Sequence, residues 1–336
     1  MKKNKNILLT GGAGYIGAHT FVALSNSGYT PIIVDNFSNS SIEVIKKLNK
    51  ILKKKVIFYN IDLRDKSKLF SIFKIRKIDS VIHFAGLKSV DESLKEPMKY
   101  FNNNIQSTIS LLECMQKKKV FKIIFSSSAT VYDPKQSLPW KETSNIGITV
   151  NPYGTSKYII ERILADLANS DSRWKVKIAR YFNPISNHSS GLIGDNPRGI
   201  PNNLIPYIMK VAKKKLPYLK IYGKDYDTKD GTCIRDYIHV LDLAEGHIAM
   251  LKNSKLTKGL EVYNFGTGKG FTVLEVVKEF EKQTGTFIPI RFAKRRKGDV
   301  PISFCSADKA FKYLSWKAKR NLKECMLDIK ISLQNK

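Results

Sequence analysis

The segment NILLTGGAGYIG, Asn6 to Gly17, sets a short apolar run directly before a cluster of glycines. The run NILLT is typical of a buried β-strand, and the amphipathic segment GAHTFVALSNSG after it is typical of a helix. Gly12, Gly14 and Gly17 satisfy the pattern G-x-G-x-x-G, in which the missing side chains let the backbone approach a pyrophosphate at a helix N-terminus. Together these features predict a dinucleotide site.

Asp35 ends the next predicted strand, TPIIVD, about 20 residues beyond the glycines. A carboxylate there accepts hydrogen bonds from the adenosine ribose hydroxyls and repels a 2′-phosphate, which favours NAD over NADP. The alternative is an aspartate that only caps a turn.

Apolar runs of strand length alternate with helix-length amphipathic segments through the first half of the chain. Strands that are apolar throughout, interleaved with helices, indicate a parallel sheet covered on both faces. We predict a doubly wound α/β (Rossmann) domain over residues 1–183. The composition then shifts to Asn, Ser, Gly and Pro in NPISNHSSGLIGDNPRGIPNN. Residues 184–336 are predicted to form a smaller mixed α/β substrate domain, with some segments packing back on the first.

The chain has 336 residues, 42% of them hydrophobic, and a formal net charge of +29. Its lysines are dispersed, and no nucleic-acid-binding motif accompanies them, so we expect a solvated basic surface and no specific nucleic-acid partner. Four widely spaced cysteines indicate neither a disulfide framework nor a zinc site. With no stretch of roughly 18 apolar residues for a membrane span, we expect a cytoplasmic protein without a membrane partner.

Two further motifs are FSSSAT, which contains Ser128, and NPYGTSK, which contains Tyr153 and Lys157. The i, i+4 spacing places Tyr153 and Lys157 on one helix face, where the ammonium is expected to lower the pKa of Tyr153 toward neutrality. Tyr153 then becomes a usable general base. A lone Tyr-x-x-x-Lys is usually incidental, but the serine and the dinucleotide motif support a catalytic group.

The five histidines show no ligand spacing, so we expect no metal site. A hydrolase triad is also unsupported, because SSSAT lacks the glycine-flanked turn that exposes a nucleophilic serine.

Eight motifs in order connect the chain to a known family: TGGAGYIGAHT, VIHFAGLKSV, FSSSATVY, NPYGTSK, ARYFNP, GIPNNLIPYI, DGTCIRDYIHVLDLAEGH and YNFGTG. Through them it resembles the extended short-chain dehydrogenases/reductases, and among these the enzymes that epimerise UDP-sugars at C4. The resemblance implies an isomerase that interconverts UDP-glucose and UDP-galactose with tightly held NAD, in galactose metabolism and the supply of nucleotide sugars for glycans. It also implies a homodimer in which helices of the large domain pair.

The resemblance implies Ser128, Tyr153 and Lys157 as the catalytic residues. The NAD contacts that it implies are Gly11, Gly14, Tyr15, Ile16, Gly17, Asp35, Asn36, Asn39, Ser40, Asp62, Leu63, Phe84, Ala85, Gly86, Lys88, Asn103, Tyr153, Lys157 and Phe182. The UDP-sugar contacts that it implies are Ser128, Asn183, Asn203, Leu204, Tyr222, Arg235, Arg296, Asp299 and Ser303. Two arginines suit a pyrophosphate, and the alternative for Arg296 is a solvated basic turn, KRRKG.

Three positions depart from the family pattern. Asp133 and Cys233 stand where glycine is usual, so each is expected to strain a loop near the site. Ser303 stands at a position where tyrosine restricts the family to glucose and galactose, which implies room for N-acetylated UDP-sugars.

Two other functions fit part of the sequence. A nucleotide-sugar dehydratase or decarboxylase shares the fold and the Tyr/Lys pair, but a dehydratase places acids beside the catalytic hydroxyl, whereas Ala129 and Thr130 follow Ser128. A non-catalytic module that binds NAD or nucleic acid would follow if Asp133 and Cys233 marked a decayed site. The retained catalytic residues argue against it.

Overall fold

The computed structural model describes residues 5–197, 199–253, 259–296 and 298–334. Its strands, numbered in chain order, are β1 (Asn6–Thr10), β2 (Thr30–Asp35), β3 (Ile57–Asn60), β4 (Ser80–His83), β5 (Lys122–Ser128), β6 (Lys175–Tyr181), β7 (Asn183–Ile185), β8 (Leu219–Tyr222), β9 (Ile234–His239), β10 (Leu260–Phe265), β11 (Gly270–Thr272), β12 (Ile290–Ala293) and β13 (Ile302–Ser303). Its α-helices are α1 (Tyr15–Asn26), α2 (Ile42–Leu52), α3 (Lys66–Ile75), α4 (Val90–Lys95), α5 (Pro97–Lys117), α6 (Pro152–Ser170), α7 (Leu204–Ala212), α8 (Val240–Lys252), α9 (Val273–Thr284), α10 (Asp308–Leu314) and α11 (Leu322–Gln334).

A seven-stranded sheet forms the centre of the molecule, in the order β10-β6-β5-β4-β1-β2-β3. All its neighbouring strands are parallel. The order reverses at β1, and the crevice at the carboxyl ends of the strands on either side of such a reversal is where doubly wound sheets bind ligands. The predicted fold class is confirmed.

Side chains of β1 alternate between two hydrophobic cores, one on each face of the sheet. Ile7 and Leu9 pack with apolar residues of α1, α2 and α8, and Leu8 packs with those of α3, α5 and α6. All three β1 side chains are fully buried. The sheet is therefore covered on both faces, which explains why β1 is apolar at successive positions rather than at alternate ones.

The rest of the chain forms smaller sheets beside the carboxyl ends of the large one. Strand β9 pairs with β11, β13 and β7, and β12 pairs with β8. Helices α7, α9 and α11 supply a third core against these strands. However, β10 joins the large sheet next to β6, and α8 packs on α1. The large sheet therefore contains strands from both sides of residue 183. The division at that residue into an NAD-binding domain and a substrate domain stays a prediction.

The loop between β7 and α7 has no helix or strand within its described residues, in keeping with its Asn, Ser, Gly and Pro content. None of the helices in the described ranges is long and apolar enough to cross a membrane.

Candidate active site

The glycine-rich turn brings backbone atoms to the start of α1. Gly11 has a left-handed φ of +67°, and a Cβ added to it would lie 2.6 Å from the amide nitrogen of Ala85. A Cβ on Gly17 would overlap the carbonyl oxygen of Gly11. Gly14 is the N-cap of α1 and offers no side-chain cap, so the first N–H groups of the helix, from Tyr15 onwards, are free to bind an anion. This cradle, which side chains would fill, fits the pyrophosphate of NAD.

Asp35 lies beside this turn at the end of β2. Its Oδ2 accepts a hydrogen bond from the Ala13 amide (3.0 Å), and its Oδ1 accepts from the Phe37 amide (2.8 Å) and the Ser40 hydroxyl (3.0 Å). Burial raises the pKa of Asp35, although these three hydrogen bonds oppose the rise. Asp35 thus caps the turn at Phe37, as the simpler alternative expected, and its bond to Ala13 also joins it to the glycine-rich turn.

The loops after β2 and β3 meet at Asp62. Its Oδ2 accepts a hydrogen bond from Asn36 Nδ2 at 3.0 Å, and its side chain pairs with Arg64. Hydrogen bonds from Arg64 hold the pKa of Asp62 well below its usual range. Asn39 is exposed in the loop after β2, whereas Leu63 is buried beneath the loop after β3.

The loop after β4 contains Phe84, Ala85, Gly86 and Lys88. The amides of Phe84 and Ala85 both donate to the carbonyl oxygen of Thr10, at 2.9 and 3.0 Å, so this loop lies against the glycine-rich turn. The other predicted NAD contacts lie on two further elements: Asn103 on α5, and Phe182 directly after β6.

Asn104 is a residue that the sequence analysis missed. Its Oδ1 accepts from the Leu87 amide at 2.7 Å, and its Nδ2 donates to the Leu87 carbonyl (3.1 Å) and to Ser156 Oγ (3.0 Å). Asn104 is fully buried and ties the loop after β4 to helix α6. The signal was a polar amide at a core-facing position of α5.

The predicted catalytic residues meet at the ends of β5 and α6. Ser128 is the last residue of β5, and Tyr153 and Lys157 lie on the first two turns of α6. Asn151 caps this helix by accepting a 2.8 Å hydrogen bond from the Gly154 amide. Lys157 Nζ donates to the carbonyl oxygen of Ser126 at 2.7 Å and lies 6.0 Å from the centre of the Tyr153 ring.

The expected lowering of the Tyr153 pKa is wrong for this structure. Burial raises the pKa of Tyr153, and only a hydrogen bond with Ser128 opposes the rise. Burial also lowers the pKa of Lys157 to about 8, against the attraction of Glu161. The physical reason is that the site withdraws both groups from water, which disfavours the phenolate and the ammonium alike.

A buried ion pair lies beneath these residues. Arg180 of β6 and Glu161 of α6 are 2.7 Å apart, with side chains 3% and 4% exposed. Ser127 Oγ of β5 donates to Glu161 Oε1 at 2.5 Å. These contacts fix α6 against β5 and β6, next to the predicted catalytic residues.

A second group of predicted residues lies on and beside strands β8, β9 and β13. Arg296 Nε donates to Asp299 Oδ2 at 3.0 Å, and its guanidinium lies 4.6 Å from the centre of the Tyr222 ring. Arg235 Nη2 is 3.7 Å from Asp299 Oδ1. Arg296 Nη1 also lies 3.8 Å from Asp91 Oδ2, on α4. Arg296 is therefore held by several partners and does not lie in a solvated basic turn.

The remaining predicted UDP-sugar contacts lie on β13, on β7 and at the start of α7. Ser303 is buried and pairs in register with Arg235. Asn183 begins β7, Asn203 precedes α7, and Leu204 is the first residue of α7. The expected strain at Asp133 and Cys233 is not found, because neither has a positive φ. Asp133 instead caps a turn by accepting a 2.9 Å hydrogen bond from the Lys135 amide.

His83 has a structural role in the large sheet. His83 Nδ1 and Nε2 hydrogen-bond the hydroxyls of Thr10 and Thr108, at 2.6 and 2.9 Å, and burial lowers the pKa of His83 to about 3. Among the described residues, no group of three or more His, Cys, Asp or Glu side chains is arranged to hold a metal ion.

Known proteins share this fold and these motifs. Residues 7–266 match the NAD dependent epimerase/dehydratase family. The UDP-glucose 4-epimerase of Bacillus subtilis (strain 168) is 51% identical over 322 residues, which are 96% of this chain and 95% of that protein. The chain belongs to the UDP-glucose 4-epimerases of this family.

Two further comparisons agree. The UDP-glucose 4-epimerase of Yersinia enterocolitica is 50% identical to this epimerase over 96% of each chain. The crystal structure of the UDP-glucose 4-epimerase from Bifidobacterium longum in complex with NAD+ and UDP has a TM-score of 0.96 and 47% identity, over 98% of each chain. The chain is an NAD-dependent isomerase that interconverts UDP-glucose and UDP-galactose, as the sequence predicted.

Proposed function

We propose that Tyr153, Ser128 and Lys157 perform the proton transfer of the epimerisation at C4 of the UDP-sugar. The observation that supports this assignment is the meeting of a hydroxyl, a phenol and an ammonium at the junction of β5 and α6, beside the glycine-rich turn. The cradle at Gly11, Gly14 and Gly17 then holds the pyrophosphate of NAD, and Asp35 holds its adenosine ribose.

Bound NAD supplies the acceptor and donor of the hydride at C4, so the sugar passes through a 4-keto state without net redox change. Tyr153, as phenolate, takes the proton of the 4-hydroxyl and later returns it. Ser128 hydrogen-bonds the same oxygen and orders the Tyr153 phenol. Burial raises the pKa of Tyr153, so a phenolate there needs a cation close by. The Lys157 ammonium, 6.0 Å from the centre of the Tyr153 ring, is the group that supplies it.

The predicted residues on and beside β8, β9 and β13 bind the nucleotide. Arg235 and Arg296 face the UDP pyrophosphate with planar guanidinium groups, which suit phosphate oxygens. Asp299, between them, binds the uridine ribose.

The hydroxyl group of Ser128 has another hydroxyl beside it: Thr130 Oγ1 donates to Ser128 Oγ at 3.0 Å. An acid that would expel water from the sugar is not among the neighbours that follow Ser128, which favours epimerisation over dehydration.

Proton NMR of the purified protein with UDP-galactose tests these roles, because the anomeric signals of the two epimers are distinct. Tyr153→Phe is expected to lower kcat by about 10²–10⁴-fold, the range for loss of a general base. Tyr158→Phe, on the same helix, is the matched control and should retain activity. Unchanged kcat in Tyr153→Phe would contradict the assignment.

We also propose that N-acetylated UDP-sugars are accepted, because Ser303 is a small residue in register with Arg235. Ser303→Tyr should suppress the epimerisation of UDP-N-acetylgalactosamine more than that of UDP-galactose. Equal loss on both substrates would contradict this specificity role.

We propose a homodimer that forms through α5. Met98 and Ile109 on this helix are 73% and 42% exposed, and with the half-buried Ile105 they follow the i, i+7, i+11 spacing of one helix face. An exposed apolar stripe of this kind is typical of a protein interface.

We further propose a cytoplasmic location, because all four cysteines are unpaired thiols.

A further inference from the structure

Asp195 is a carboxylate in the loop between β7 and α7, and the proposed function does not use it. Its side chain is 10% exposed. Lys88 Nζ, in the loop after β4, donates to Asp195 Oδ1 and Oδ2 at 3.2 and 3.4 Å. Asn203 Nδ2, at the start of α7, donates to Asp195 Oδ2 at 3.3 Å. One carboxylate therefore contacts a proposed NAD residue and a proposed UDP-sugar residue.

The loop before Asp195 fixes where this carboxylate lies. The Gly191 amide donates to the His188 carbonyl at 2.8 Å, and the His188 amide donates to the Ile193 carbonyl at 3.1 Å. Ile193 is buried in the core on one face of the large sheet. Gly194 packs so closely on Asn187 that an added Cβ would overlap its amide oxygen. Asp195 thus follows an ordered turn.

The charge of Asp195 argues against a direct role in ligand binding. A carboxylate that contacts residues of both proposed ligand sites would repel the anionic ligands unless it were neutralised. Lys88 supplies the neutralising charge at 3.2 Å. Asp195 can still fix the orientation of a neighbouring polar side chain, because an ionised carboxylate accepts hydrogen bonds and cannot donate them.

That property determines the orientation of Asn203. Since Asp195 only accepts, the Asn203 side chain must turn its NH₂ group toward it, which leaves Asn203 Oδ1 to accept a hydrogen bond from elsewhere. Asn203 is a proposed contact of the UDP-sugar, whose hydroxyl and N–H groups are donors. We propose that Asp195 is a positioning residue that orients the Asn203 amide, with its acceptor toward the UDP-sugar. This inference rests on the proposed function.

Asp195→Asn preserves the shape of the side chain but adds a donor, so the Asn203 amide can flip. We expect the KM for UDP-galactose to rise by about fivefold to tenfold, as for loss of one oriented hydrogen bond, with kcat within about twofold because Asp195 does not touch the catalytic group. Asp195→Glu, which keeps an acceptor-only group, should restore part of the KM. Glu43→Gln, which removes an exposed lysine pair on α2 (2.7 Å), is the control for the loss of a paired surface carboxylate and should change neither constant.

The double variant Asp195→Asn/Asn203→Ala decides whether Asp195 acts through Asn203. If it does, the double variant should have the KM of Asn203→Ala alone. Multiplicative increases in KM, or a fall in kcat at unchanged KM, would overturn the proposal. An Asn203→Ala variant with an unchanged KM would instead overturn the proposed contact of Asn203 with the UDP-sugar, so the two failures are distinguishable.

Discussion

Lys157 Nζ donates a 2.7 Å hydrogen bond to the carbonyl oxygen of Ser126, joining helix α6 to strand β5. The lysine side chain is buried, and burial lowers its pKa to about 8. In its proposed catalytic position, Lys157 therefore carries its charge where water is excluded, which lowers the free energy of unfolding of the chain.

Lys157→Met should make the protein more stable and inactive. In the unfolded chain a lysine titrates near pH 10.4. Below pH 8 the folded chain therefore holds a buried ammonium, which lowers the free energy of unfolding. This loss of stability disappears as the pH rises from about 8 to about 10. We expect the free energy of unfolding, measured in urea at about pH 6.5, to rise by about 1–2 kcal/mol after allowing for the lost hydrogen bond. The gain should shrink at about pH 9.5. Lys278→Met, at an exposed position of α9, is the control. A variant that is less stable at both pH values would contradict the prediction.

Asp35→Asn should weaken cofactor binding and its discrimination against NADP. The substitution replaces a carboxylate that accepts from the Ala13 amide, the Phe37 amide and the Ser40 hydroxyl, and it removes the charge that repels a 2′-phosphate. We expect about tenfold weaker NAD binding, measured by calorimetry on cofactor-free protein, and a smaller preference for NAD over NADP. Asp133→Asn is the control. An unchanged preference would show that Asp35 serves the turn alone.

Glu161→Gln should destabilise the fold more than any exposed charge substitution. Removing one partner leaves the buried Arg180 uncompensated, at a cost of about 3–5 kcal/mol. Arg162→Gln, one residue further on α6, breaks an exposed 3.7 Å pair with Asp166 and should cost at most about 0.5 kcal/mol. Urea unfolding of the two variants in parallel gives the comparison. Similar losses in both would mean that the buried pair is not a structural anchor.

Ile109→Lys should convert a dimer into monomers. The change places a charge in the exposed apolar stripe of α5, where its burial between two subunits is unfavourable. Sedimentation velocity measures the outcome, and Phe311→Lys, at a 63% exposed position of α10, should leave the assembly unchanged. A wild-type monomer at micromolar concentration would refute the proposed interface.

Local patterns predicted the fold class and the parts of the site that depend on short segments. The strand, the glycine turn and the helix of residues 6–26 are contiguous, so spacing alone defines them, and Tyr153 and Lys157 need only a helix to share a face. Asp195 and Asn104 were missed because their partners, Lys88 and Leu87 among them, are distant in sequence.

Two outcomes needed the folded chain. The Tyr153 pKa was predicted from the nearness of Lys157, but spacing says nothing about how completely the packed site excludes water, and burial decided the direction. Likewise, the sequence of β10, LEVYNF, does not indicate which strand it pairs with, and only the three-dimensional packing selects β6 as its neighbour.

The place of β10 at the end of the large sheet also bears on synthesis. During translation the first six strands leave the ribosome before Leu260–Phe265, so β6 stays an open edge while nearly eighty further residues are made. An open edge of unpaired backbone groups readily pairs with other chains. A fragment that ends near residue 183 should therefore aggregate, and the nascent chain depends on its own second half to close the sheet.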